Sequence, residues 1–83
     1  MRLTEKTAHG GYSVPLGREQ EAIQRLAVFE NIHQQLADQQ GEISAQLEQL
    51  RLEGKKNSVK FRELMGKKLA NSIVLSTFQA NGL

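Results

Sequence analysis

The sequence has no cysteine, no tryptophan and a single proline. Without cysteine, a disulfide framework, a thiolate zinc site and a cysteine nucleophile are all excluded. The longest uninterrupted aliphatic run is the three residues 73–75, so no membrane-spanning helix is expected, and the first residues lack the apolar segment of a signal peptide. We therefore expect one small, mainly helical, cytoplasmic domain in these 83 residues.

Charge is distributed unevenly along the chain. Residues 1–53 contain five Lys or Arg against eight acidic residues, whereas residues 54–83 contain six Lys or Arg and one acid, Glu63. A basic segment is typical of proteins that bind nucleic acid, but it also suits two helices, or two subunits, that attract each other. We take self-complementarity as the simpler interpretation.

The first 17 residues form a separate N-terminal segment, from which glycines and the proline exclude a helix. Alternation on either side of Gly10-Gly11 predicts a small β-hairpin, with an irregular arm as the alternative. A two-stranded hairpin is marginal in water by itself. If it forms, its apolar side chains must therefore rest on a helix; these are Leu3, Tyr12, Val14 and Leu16.

The next segment has the periodicity of a coiled-coil-like helix, which we predict over about residues 18–53. Apolar residues recur at alternating spacings of four and three, the a/d pattern. Gly41 is its weak point, because glycine costs about 1 kcal/mol in a helix interior. The seam of the pattern comprises Ala22, Leu26, Phe29, His33, Leu36, Gln40, Ile43, Leu47 and Leu50.

A turn at residues 54–57 and a second helix over about 58–80 complete the predicted helical hairpin. Gly54 suits the left-handed position after a helix, and Asn57 or Ser58 suits the N-cap of the next. One stripe of the second helix carries Phe61, Leu64, Met65, Lys68 and Ser72. Outside that stripe fall Val59, Leu69, Ala70, Ile73, Val74 and Phe78. The predicted fold class is mainly α, two antiparallel helices with a small N-terminal β-hairpin or arm.

The two helices differ in length, and this predicts self-association. At 1.5 Å per residue the first helix spans about 50 Å and the second about 33 Å. If Leu26, Phe29 and Leu36 were exposed to water, the fold would lose about 2 kcal/mol of hydrophobic stabilisation for each side chain. We therefore expect a homodimer or higher homo-oligomer that forms a helical bundle. The predicted self-association seam comprises Leu26, Phe29, His33, Leu36, Gln40, Ile43, Leu47, Leu50, Phe61 and Leu64.

Catalytic and metal-binding chemistry is not indicated. Glu30 and His33 have the Glu-x-x-His spacing of di-iron bundles. Glu63 is the one carboxylate of the second helix, and in an antiparallel hairpin it lies about 27 Å from Glu30 along the helix axis. No nucleophile elbow or phosphate loop occurs. We expect no enzyme, no metal site and no cofactor.

The basic residues of the C-terminal part provide the alternative function, nucleic-acid binding. Phosphate contacts require clustered cations. The candidates are Lys55, Lys56, Lys60, Lys67 and Lys68. On a helix these lysines point in several directions, so we rank this interpretation below association with protein.

Short motifs along most of the chain carry a family resemblance. They are Arg2-Leu3-Thr4 before a glycine turn, Ile23 with Arg25-Leu26-Ala27 and Phe29-Glu30, and Gly54-Lys55 followed by Phe61, Leu64 and Lys68-Leu69. In these the chain resembles short proteins carried by phages and prophages of low-GC Gram-positive bacteria. Where many of those have a helix break, this chain continues with Asn31-Ile32-His33-Gln34. The resemblance implies a mobile-element origin and carries over no functional residue.

Together these features predict a phage-type accessory protein. It acts in the cytoplasm through helix-mediated self-association and protein binding, without a membrane partner.

Overall fold

A computed structural model describes residues 2–83 of the chain. Two short antiparallel strands, β1 (Glu5–Lys6) and β2 (Tyr12–Ser13), precede two helices, α1 (Glu19–Leu52) and α2 (Val59–Ala80). The predicted fold class is confirmed, since two helices pack against each other and a small β-hairpin precedes them. Within residues 2–83 no helix combines the length and the apolar character needed to cross a membrane.

Packing divides the chain into two units. The first ends at Ile32 and the second spans His33–Leu83, so the division falls inside α1. Gly41 does not interrupt this helix. Each unit has its own buried apolar residues, which are Leu3 in the first and Ile43, Leu47 and Leu64 in the second.

The β-hairpin of the first unit is closed by Thr7. Its backbone N–H donates to the Gly11 carbonyl at 2.8 Å, and its hydroxyl accepts from the Gly11 N–H at 3.0 Å. Gly10 supplies the positive φ of the turn. The expectation that all the apolar residues of this segment rest on a helix is wrong for Tyr12 and Leu16, which are exposed. Because each strand is only two residues long, the hairpin is too small to hold all of the apolar side chains of this segment against a helix.

The turn between the helices follows the predicted capping chemistry. Gly54 has a φ of 73°. The Lys55 N–H donates to the Leu50 carbonyl at 2.8 Å and the Gly54 N–H to the Arg51 carbonyl at 3.0 Å, the Schellman pattern that ends a helix. Ser58 then caps α2, because its hydroxyl accepts from the Phe61 N–H at 3.1 Å. The predictions for Gly54 and Ser58 are confirmed.

Candidate association surface

Five predicted seam residues are used inside the chain. Ile43 and Leu47 of α1 and Leu64 of α2 form the buried core of the second unit, and Leu50 and Phe61 pack against it. Leu47 is 2% exposed. Ile43, Leu47 and Leu64 are buried within the chain, whereas Leu50 and Phe61 are half-buried.

Gln40 forms a polar clamp between the helices. Its Nε2 donates to the Lys68 carbonyl at 3.1 Å and to the Ser72 hydroxyl at 3.0 Å. Its Oε1 is buried and has no hydrogen-bond partner among the described residues. Beside it, Asn71 donates to the Gln39 side-chain oxygen at 3.4 Å. This predicted seam residue therefore fixes how α2 lies along α1 in the second unit.

His33 and Leu36, also predicted for the seam, are half-buried. The His33 ring meets the ring of Phe78 edge-on, with centroids 5.4 Å apart. Phe78 therefore contacts α1 although it falls outside the stripe that carries Phe61 and Leu64, and Met65, which lies on that stripe, is exposed.

The sequence does contain a signal for the face of α2 that packs against α1, which we call the inner face. The buried and half-buried residues of α2 include a series at alternating spacings of three and four, as in α1, and Ser72 is half-buried beside it; the series is Phe61, Leu64, Lys68, Asn71, Leu75 and Phe78. Polar residues at two of these positions, Lys68 and Asn71, interrupt the apolar pattern and obscure the repeat.

The remaining seam residues, Leu26 and Phe29, border an open apolar groove in the first unit. With Leu3 and Ala22 they line a groove of about 350 Å³, which Arg2, Thr4 and Arg25 also border. Leu26 is 59% exposed and Phe29 nearly half exposed, whereas Leu3 is buried. The N-terminal segment thus shelters part of this apolar surface and leaves Leu26 largely open.

The candidate nucleic-acid lysines are not gathered on one surface. Lys60 and Lys67 share a polar groove with the carboxylate of Glu42. Lys55 and Lys56 lie in the turn, where the Lys55 ammonium is 3.5 Å from the Glu53 carboxylate. Lys68 is half-buried. This scatter, and the acid beside two of the lysines, weakens the case for a nucleic-acid interface.

Metal chemistry and known relatives add no further site. The part of the chain that the structure describes brings no three His, Asp or Glu side chains together as a metal site. No family model, curated protein or solved structure matches the chain. The resemblance to short phage proteins therefore stays a prediction.

Proposed function

We propose that this chain is an accessory protein of the cytoplasm that acts by association, assembling with itself through helix surfaces and then binding another protein. The observation that carries the proposal is the open groove of the first unit, where seam residue Leu26 remains largely exposed. An amphipathic helix with an open apolar stripe is stabilised when a partner helix covers it.

The amount of exposed surface supports the proposal. The chain exposes 6629 Å². A folded monomer of this mass is expected to expose about 5000 Å², or about 1600 Å² less than this chain. A stable interface covers about 800 Å² on each partner. The excess is therefore large enough for self-association, and large apolar side chains contribute to it.

The first prediction concerns Leu26. Leu26→Asp places an unpaired carboxylate in the apolar groove, so we expect a smaller assembly than that of the wild-type chain. Light scattering at micromolar concentration measures the mass, and circular dichroism checks that helix content is kept.

Ile23→Asp is the matched control for that experiment. Ile23 lies on the same helix with nearly the same exposure as Leu26, 57%, but does not line the groove. Its substitution should leave the mass unchanged. A wild-type chain that is a single 9.3 kDa molecule with full helicity would contradict the proposal.

The nucleic-acid alternative gives a different result in the same instrument. Duplex DNA added at low salt would raise the mass, and Lys60→Glu with Lys67→Glu would abolish the rise. We expect no change in mass on addition of DNA.

A further inference from the structure

The side of α2 that faces away from α1 carries no charged residue from Gly66 onward. Gly66, Leu69, Ile73, Ser76 and Ala80, which we call the outer face, follow one another at spacings of three and four. Each lies five positions after a residue that faces α1, which turns it about 140° around the helix. Leu69 is 64% exposed and Ile73 is 61% exposed.

Contacts within the second unit do not explain this composition. Glycine at position 66 destabilises the helix interior relative to alanine. A Cβ atom at this position would nevertheless meet no atom within 4 Å, and the backbone there has no positive φ. The hydroxyl of Thr77, beside the outer face, donates to the Ile73 carbonyl at 2.9 Å. If a partner covered this part of the face, the Thr77 hydroxyl would keep this hydrogen bond and would not be buried without a partner atom.

The charge pattern favours a second copy of the same chain as the occupant. From Leu69 to Leu83 the sequence contains no Asp, Glu, Lys or Arg. A face that meets its own copy across a twofold axis brings like residues together, so charges of one sign would repel. Lys67 borders the polar groove and Lys68 is half-buried, so neither belongs to the outer face.

We propose that the outer face of α2 is a second self-association surface, on which α2 of another copy packs in antiparallel order about Ile73. In that order Gly66 lies opposite Ala80 of the partner copy, and Leu69 lies opposite Ser76 and Thr77. Leu69 thus meets small side chains and Ile73 meets its own copy at the axis, so the two helices can approach closely.

This inference rests on the proposed function and adds a contact to it. The excess surface of about 1600 Å² exceeds the roughly 800 Å² that one stable interface covers on each partner, so it leaves area for a contact at the outer face besides the one at the groove of the first unit. Two different twofold contacts join chains in even numbers, and the smallest closed assembly has four.

The experiment compares the masses of the wild-type chain, Leu26→Asp, Ile73→Glu and the double variant by light scattering. We expect four chains for the wild type, two for each single variant and one for the double variant. In Ile73→Glu the two introduced carboxylates face each other at the axis, so this contact should weaken at least tenfold. Leu69→Glu should behave as Ile73→Glu does. Because the Leu69 and Ile73 side chains are both exposed, circular dichroism should show the same helix content in these variants as in the wild type.

Leu52→Glu is the matched control, because it adds the same charge to another largely exposed leucine of the same unit. It should keep the wild-type mass. An unchanged mass for Ile73→Glu, with Leu26→Asp still reducing the mass, would overturn the second contact and leave the proposed function standing. A single-chain wild type would overturn both. Two single variants that are each monomeric alone and form dimers only when mixed would overturn the pairing of like faces.

Discussion

At the scale of single residues, Gln40 shows how a polar side chain defines a small core. Its amide nitrogen is bonded to two groups of α2, while its buried oxygen lacks a partner among the described residues. A buried acceptor without a donor costs about 1–3 kcal/mol. Gln40 therefore specifies the position of α2 along α1 at a cost in stability. The sequence indicated a polar seam position there, but not the two acceptors it would meet.

Replacing Gln40 tests this balance. In Gln40→Met the unpartnered oxygen is removed, and the freed Ser72 hydroxyl can bond the Lys68 carbonyl of its own helix. We expect the free energy of unfolding to rise by about 1 kcal/mol in urea denaturation. Gln35→Met, an exposed change on the same helix, should stay within about 0.5 kcal/mol of wild type. A loss of stability in Gln40→Met would mean that the two bonds from Nε2 outweigh the unpartnered oxygen.

At the scale of elements, local signals predicted the helices well. The repeat from Ala22 to Leu50 indicated α1, and Gly54 and Ser58 marked the turn and the start of α2 because caps depend on neighbouring residues alone. The inner face of α2 was less predictable. Polar Lys68 and Asn71 occupy two of its positions, so hydrophobicity alone did not separate the inner face from the outer one.

The cap of α2 gives a prediction at this scale. Ser58→Ala removes the hydroxyl that accepts from the Phe61 N–H, so the free energy of unfolding should fall by about 1 kcal/mol. Thermal unfolding followed by circular dichroism measures the change. Ser76→Ala, at an exposed interior position of the same helix, is the control and should not lower stability. Equal losses in both variants would argue against the cap.

At the scale of the whole molecule, little apolar surface is buried. Across residues 2–83 the buried hydrophobic side chains are Leu3, Ile43, Leu47 and Leu64. A protein with so small a core depends strongly on each of these residues, and association can supply the burial that the single chain lacks.

Truncating the most buried leucine tests that dependence. Leu47→Ala should lower the free energy of unfolding by about 3 kcal/mol, a large share of the roughly 5 kcal/mol available to a small domain. Leu52→Ala, at an exposed leucine one and a half turns further along α1, should change it by less than about 0.5 kcal/mol. Urea denaturation at fixed protein concentration compares the two. A small effect at Leu47 would show that the core lies elsewhere.

The two helices, the end of α1, the N-cap of α2 and, as one of two alternatives, the glycine turn of the N-terminal hairpin could be predicted from the sequence, because each depends on residues close together along the chain. Which seam residues are covered is known only from the packing of the chain. Ile43 and Leu47 pack against α2, whereas Leu26 remains exposed, and both sets share one periodic pattern. Periodicity defines a helix face, but which part of that face is covered depends on what lies opposite it in space.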